Sequence, residues 1–118
     1  MKWVYDNPTY IDRDDCSIRA FAKLLDKPYV DIKKDLIRLK LLNRIKRYYY
    51  WDNVKKYIKI NNLQETKRFN RLKVKEIPDK GKYLIYVDGH LLTVIDGVLY
   101  DSWDSRNEII QSAWSIGE

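Results

Sequence analysis

Apolar residues near the start of the chain recur at the spacing of a helix. Ile18, Phe21, Ala22 and Leu25 stand at positions i, i+3, i+4 and i+7, which places them on one face of a helix that covers a core. The Asp14-Asp15 pair precedes this stripe, and either short carboxylate is suited to accept hydrogen bonds from the first helical turn. The pattern predicts a helix that begins near residue 15 and is broken at Asp26-Lys27.

Two more helices follow in the pattern. Pro28 suits the first turn of a helix, and Asn61-Asn62 is suited to end one. Between them, charged residues separate two sets of apolar positions that we expect to face the core: Tyr29, Ile32, Leu36 and Leu39 in the second helix, and Val54, Tyr57 and Ile58 in the third, which opens near Trp51.

From residue 82 onward the pattern becomes that of strands. Turn signals at Asp88-Gly89 and Asp96-Gly97 separate runs rich in β-branched and aromatic residues. We predict strands at 83–87, 91–95 and 98–103, a short one at 112–116 and an edge strand at 72–77, while residues 1–13 are extended or looped. Helices followed by an antiparallel meander predict one α+β domain over residues 1–118.

The composition indicates the cellular compartment. A single cysteine among 118 residues cannot form an internal disulfide, which fits a reducing compartment. No run approaches the roughly 18 apolar residues of a membrane span, and the first residues lack the apolar segment of a signal peptide. We expect a soluble cytoplasmic protein without a membrane partner.

Charge is unevenly distributed. Residues 33–82 carry 17 basic and 5 acidic side chains, whereas both flanking segments are net acidic. This middle segment, predicted as a basic insert of helices and loops, would attract anionic partners through its long-range field.

The only cysteine and the only histidine form a candidate catalytic pair. Cys16 lies at the start of the first predicted helix, where the helix dipole favours a thiolate and its own backbone N–H could hold an oxyanion. His90 lies at the start of a predicted strand and is the only imidazole available as a base. The fold must bring them together across the sequence.

Hairpin register predicts the group that orients the imidazole. A two-residue turn at Asp96-Gly97 places His90 opposite Trp103, so Asp101 lies on the same face within diagonal reach. Asp101 is therefore the first choice for the orienting carboxylate, and Asp104 is the reserve. Arg19, one turn after Cys16, is placed to pair with Asp15 or Asp104.

These residues resemble those of the papain-like cysteine peptidase superfamily in its minimal form. The likeness is to small bacteriophage and mobile-element proteins with a DC-x-x-RA motif and a late H-x-x-x-V-x-DG-x-x-x-D-x-W-D-S segment, here residues 15–20 and 90–105. The same Cys, His, Asp order occurs in the leader peptidases of bacteriocin exporters. The resemblance implies Cys16 as nucleophile, His90 as base and acid, Asp101 as orienter, and a nucleophile helix packed on an antiparallel sheet.

One position departs from the family pattern. Papain-like enzymes usually carry a glutamine six residues before the cysteine, where its amide supports the oxyanion, and this chain has Tyr10 there. Asn7 or Tyr10 are the candidate substitutes.

The basic segment interleaves cations with aromatic rings. Arg44, Lys46, Arg47 and Trp51 lie within one short run, a composition that suits an anionic partner. An acidic protein, single-stranded nucleic acid, or an acidic peptide substrate bound in a groove beside Cys16 all fit, with nucleic acid not favoured.

Two functions follow. The first is a phage-type papain-like hydrolase that acts on a peptide or isopeptide bond, in the host cytoplasm if phage-encoded. The second is a catalytically inactive papain-like module that inhibits a host or defence complex, or contacts nucleic acid, through its basic segment. No cofactor is expected, and one Cys with one His does not make a zinc site of ordinary spacing.

Overall fold

The computed structural model describes residues 1–7 and 14–116. Within these residues, three α-helices and six strands make up the domain. In chain order they are β1 (Lys2–Tyr5), α1 (Cys16–Leu25), α2 (Tyr29–Leu42), α3 (Trp51–Ile60), β2 (Gln64–Thr66), β3 (Lys82–Val87), β4 (His90–Ile95), β5 (Val98–Asp101) and β6 (Ser112–Ser115). The predicted α+β class is confirmed, and the predicted helices are found.

The strands form one sheet in the order β1-β5-β4-β3-β6-β2. Strands β3, β4 and β5 form the predicted antiparallel meander, and the pairs Thr93 with Tyr100 and Ile95 with Val98 confirm the register set by the Asp96-Gly97 turn. The sheet as a whole is mixed, which corrects the prediction of a purely antiparallel meander. The reason is that β1 pairs in parallel with β5 at one edge, and β6 returns to pair with β3.

Helix α1 lies across the centre of the sheet. Its buried face, including Ile18, Phe21 and Leu24, packs with Leu91 of β4 in the first core cluster. The hydroxyl of Thr93, fully buried, donates to the carbonyl of Ala20 at 2.7 Å. This contact fixes α1, and with it Cys16, relative to β4.

The basic segment is part of this core. Leu36 from α2, and Val54 and Tyr57 from α3, pack in the same cluster as α1. Helices α2 and α3 therefore complete the domain on the helical side of the sheet, while their charged side chains remain outside.

A second cluster covers other side chains of the sheet. Ile85, Leu92, Val94 and Leu99 pack there with residues from the 69–77 segment. Because both sides of β4 are covered, all four residues from 91 to 94 are buried, which explains why that strand reads as a continuous apolar run.

The edge strand predicted at 72–77 is wrong. Residues Val74–Glu76 form a single turn of 3-10 helix instead. Val74 is completely buried, and its N–H donates to the carbonyl of Glu108, so a loop rather than a strand partner satisfies this backbone. The short edge strand is β2, which pairs with β6.

Within the described residues, no helix has the length and apolar character needed to cross a membrane.

Candidate active site

Cys16 is the first residue of α1. Its sulfur accepts a hydrogen bond from the backbone N–H of Leu91, the second residue of β4. The helix start and the strand start are thus held together, and this contact brings the only thiol beside the only imidazole.

His90 lies between Cys16 and Asp101. Its Nε2 is 2.9 Å from Oδ1 and 2.8 Å from Oδ2 of Asp101, and its ring also hydrogen bonds with the Cys16 side chain. Since Nε2 is engaged by the carboxylate, Nδ1 is the nitrogen that remains for the thiol. The ring of Trp103 stands beside the imidazole, with centroids 5.3 Å apart.

Asp101 is held by several further contacts. Only 1% of its side chain is exposed. The hydroxyl of Ser105 donates to Oδ2 at 2.7 Å, and the N–H of Ser102 donates to Oδ1 at 2.8 Å. Its carbonyl oxygen accepts from the indole of Trp3 at 3.1 Å, so β1 also supports this corner. The carboxylate has little freedom to turn away from His90.

Arg19 connects the two ends of the site. Its Nε donates to Asp15 at 2.9 Å, and its guanidinium lies 3.6 Å from Asp101. The predicted Arg19–Asp15 pair is therefore present, whereas the alternative pair with Asp104 is not formed. The second oxygen of Asp15 accepts from the hydroxyl of Tyr29 at 2.9 Å.

This pairing explains why one predicted helix cap is wrong. Asp15 occupies the N-cap position of α1 but makes no side-chain capping hydrogen bond. Its carboxylate accepts from Arg19 and Tyr29 instead of from the first-turn N–H groups.

The contacts shift both reactive groups toward their charged forms. Burial raises the pKa of the Cys16 thiol, but the hydrogen bonds from His90 and Leu91 and the charges of His90 and Arg19 outweigh it, so the pKa is lowered. Burial lowers the pKa of His90, but Asp101 and Cys16 more than compensate and raise it to about 9. Both shifts favour the thiolate–imidazolium pair over the neutral thiol and imidazole.

The pair opens into a cavity of about 180 Å³. One side is formed by Cys16 and the turn that carries His90, and the other by the aromatic residues Tyr49, Trp51 and Tyr86. Trp51 is 38% exposed and packs on Tyr86 with ring centroids 4.9 Å apart. A reactive group at one wall and flat apolar surfaces at the other suit a peptide-like ligand.

Three other residues are candidates from the sequence for orienting His90 or supporting the oxyanion: Asp104, Asn7 and Tyr10. Asp104 is exposed and forms a two-pronged ion pair with Arg106, each bond 2.8 Å long, so its side chain is engaged away from His90. Asn7 donates its amide to the hydroxyl of Tyr5 at 3.4 Å. Tyr10 lies outside the described residues.

The predicted anion-binding residues divide into separate groups. Lys46 and Arg47 line a second cavity together with Lys40. Trp51 belongs to the wall of the first cavity. Arg44 is exposed in the turn after α2, with a positive φ of 55°.

Sequence reasoning missed several supporting residues. Ser105 was part of the late motif but had no assigned role, and its fixed position four residues after Asp101 was the available signal. Nothing in the local sequence indicated that Trp3 would contact Asp101 or that Tyr29 would contact Asp15. These contacts depend on the parallel pairing of β1 and on the packing of α2.

Within residues 1–7 and 14–116, no group of three or more His, Cys, Asp or Glu side chains is arranged to hold a metal ion.

Comparisons with protein families, with curated proteins and with solved structures found no match to this chain.

Proposed function

We propose that the protein is a papain-like thiol hydrolase that cleaves a peptide or isopeptide bond, with Cys16 as nucleophile. The observation that carries the proposal is the chain of contacts from the Cys16 thiol through His90 to the buried carboxylate of Asp101, open to a cavity at the thiol end. Nucleophile, base and orienter in this order are the arrangement that acyl transfer requires.

The chemistry proceeds in two steps. The Cys16 thiolate attacks the carbonyl carbon, and the His90 imidazolium gives its proton to the departing amine as the C–N bond breaks, leaving a thioester. Neutral His90 then accepts a proton from a water molecule as the water oxygen attacks the thioester carbonyl. The C–S bond breaks, the carboxylic acid product leaves, and the Cys16 thiolate is restored beside the His90 imidazolium. Asp101 stabilises the imidazolium and holds the ring orientation throughout.

Backbone N–H groups supply the oxyanion support in this proposal. Cys16 is the first residue of α1, so its N–H belongs to the helix N-terminus and, with the positive end of the helix dipole, can support a developing negative charge. This support comes from the backbone, so it does not need the side-chain amide that Tyr10 replaces. The mechanism requires a reduced thiol, which places the reaction in a reducing compartment such as the cytoplasm.

The test is the rate of Cys16 alkylation by iodoacetamide at neutral pH, compared between the natural protein and His90→Ala. Since the chain has one cysteine, all labelling reports on this site, and urea-unfolded protein gives the rate of the unperturbed thiol. We expect the folded natural protein to react fastest and His90→Ala to lose about tenfold. Equal rates in the two folded proteins would show that His90 does not activate the thiol.

Hydrolysis itself is tested with a mixture of fluorogenic peptides and isopeptides. Cleavage that disappears in both Cys16→Ala and His90→Ala, with circular dichroism unchanged, supports the proposal. Cleavage retained in Cys16→Ala would assign the activity to a different group or to a contaminant.

A binding module is the second candidate, and one observation favours it. Five basic and no acidic residues occur between Asp35 and Asp52, a concentration of positive charge that attracts anionic partners. The module would bind an oligonucleotide with strong salt dependence, lost when Arg44, Lys46 and Arg47 are replaced by Ala. Affinity that is equal at low and high salt would reject the nucleic-acid version.

A further inference from the structure

We propose that a basic groove beside the cavity at Cys16, called the cleft below, selects acidic residues in the peptide that Cys16 attacks. The basic groove is defined as the cavity lined by Lys40, Lys46, Arg47, Tyr48 and Tyr49. This inference rests on the hydrolase function proposed above and adds the class of substrate.

The groove and the cleft are adjacent. Tyr49 lines both the thiol cavity and the basic groove, so a chain that lies across this ring reaches from one to the other. The groove has a volume of about 360 Å³, which is enough for one or two side chains. A substrate extended from the thiol would therefore place residues near the cations.

The groove is held by backbone contacts on both sides. The N–H of Ile45 donates to the carbonyl of Lys40 at 2.9 Å, which ties the loop to α2. The amide of Asn53 donates to the carbonyl of Tyr48 at 2.8 Å, which ties it to α3. The cations are thus presented on an anchored loop, so binding does not have to order the whole segment first.

The positive charge of the groove is not neutralised locally. No carboxylate occurs between Asp35 and Asp52 in the sequence. Within the described part of the chain, Lys40, Lys46 and Arg47 form no ion pair. Carboxylates of a bound peptide would neutralise these charges, and Arg47 can bind one carboxylate through two parallel hydrogen bonds.

A peptide is a better ligand for this groove than a nucleic acid because the groove is adjacent to the Cys16–His90 pair. The thiolate and imidazolium of the cleft can act on an acyl carbon, which a peptide offers at every residue and an oligonucleotide backbone does not. The aromatic residues of the cleft can pack against either a peptide or a nucleic-acid base, so they do not distinguish the two ligands.

The expected preference is moderate. An exposed ion pair changes affinity by about fivefold at most, and salt weakens it further. Two or three such pairs would therefore give about a tenfold preference for a peptide with glutamates over its glutamine counterpart at low salt.

The experiment measures the rate at which peptides carrying an electrophile alkylate Cys16. One series carries the electrophile at the carboxyl end and one at the amino end, so that both sides of the thiol are covered, and each series pairs a glutamate peptide with its glutamine counterpart. We expect about a tenfold preference for glutamate in at least one series. Lys46→Gln with Arg47→Gln should abolish it, whereas the matched control Lys34→Gln with Arg38→Gln should retain it.

Iodoacetamide separates the two possible failures. Fast, His90-dependent labelling by iodoacetamide together with equal rates for glutamate and glutamine peptides would overturn the acidic preference and leave the hydrolase function standing. Slow labelling that does not depend on His90 would overturn the hydrolase function.

Fluorescence anisotropy measures the affinity of the groove for a peptide independently of any reaction at the thiol. The fluorescein-labelled glutamate peptide should bind more tightly than both the glutamine peptide and a short oligothymidylate, with the difference lost in the Lys46 and Arg47 double variant. Tighter binding of the oligothymidylate, lost in the same variant, would overturn the inference in favour of a nucleic-acid ligand.

Discussion

Replacing Asp101 by Asn removes the charge that stabilises the His90 imidazolium and keeps the shape of the side chain. Asp101 is nearly fully buried, and both of its oxygens contact Nε2 of His90. An Asn in its place keeps one oxygen that can accept from the ring and from Ser105, but it presents its NH2 group to the Ser102 N–H and to Arg19. The main expected effect is electrostatic, with some loss of stability.

The size of the effect follows from the pKa of His90. With Asp101 present that pKa is about 9, so about 97% of His90 is protonated at pH 7.5. Without the carboxylate the pKa should fall toward the ordinary value of about 6.5, where about 9% is protonated at the same pH. The imidazolium available to the thiolate and to a leaving amine decreases about tenfold.

The assay is an NMR titration of the imidazole carbons. His90 is the only histidine in the chain, so its signals need no assignment by mutation. We expect an inflection near pH 9 in the natural protein and a shift of about two pH units downward in Asp101→Asn. Asp104→Asn is the control, because Asp104 pairs with Arg106 at the surface, and its inflection should equal that of the natural protein.

An Asp101→Asn titration within a few tenths of a unit of the natural one would refute the reasoning. It would mean that the carboxylate does not set the protonation state of His90, and that the short contacts seen here do not carry the assumed charge interaction.

The raised pKa also predicts a pH-dependent stability. A group whose pKa is higher in the folded protein stabilises it below the unfolded pKa, here about 6.5, and loses that contribution as pH rises through about 9. The shift of about 2.5 units corresponds to at most about 3 kcal/mol. With Cys16→Ala in both proteins to remove the thiol titration, urea unfolding should show the part of this decrease that Asp101 causes, and only when Asp101 is present. A decrease of equal size in Asp101→Asn would contradict the assignment.

Two further predictions concern stability. Arg19→Gln removes the guanidinium that pairs with the buried carboxylate of Asp15 and lies near that of Asp101, and it should lower the free energy of unfolding by about 3 kcal/mol in urea denaturation. Arg106→Gln, at an exposed pair, should change it little, and equal effects would contradict this ranking. Gly97→Ala should lower the melting temperature more than Gly89→Ala, because both have positive φ but only the Cβ at 97 would meet Asp79, at 2.7 Å. The reverse order in thermal unfolding would contradict it.

Local patterns were sufficient for much of the fold and for the core of the site. The stripe containing Ile18 and Phe21 predicted α1, and the Asp96-Gly97 turn set the β4–β5 register that puts Asp101 within reach of His90. These predictions succeed because helix periodicity and tight turns are determined by neighbouring residues.

Contacts between distant segments were not predictable in the same way. The pairing of Trp3 with Leu99 in the parallel β1–β5 ladder joins residues with no local signal for each other. The alternation in 72–77 resembles a strand, but the loop near Glu108 supplies its hydrogen bonds. Asp15 resembles a helix cap, and although its pairing with Arg19 was predicted, only the folded position of Tyr29 shows that both carboxylate oxygens are engaged.

The most direct test of an activated Cys16 is the pH dependence of thiolate absorbance near 240 nm, measured for the natural protein and for His90→Ala. The chain has one thiol, and Cys16→Ala gives the background from the tyrosines. We expect an inflection below the ordinary value of 9.0 in the natural protein and a clear upward shift in His90→Ala. An inflection at or above 9.0 that is the same in both proteins would contradict it.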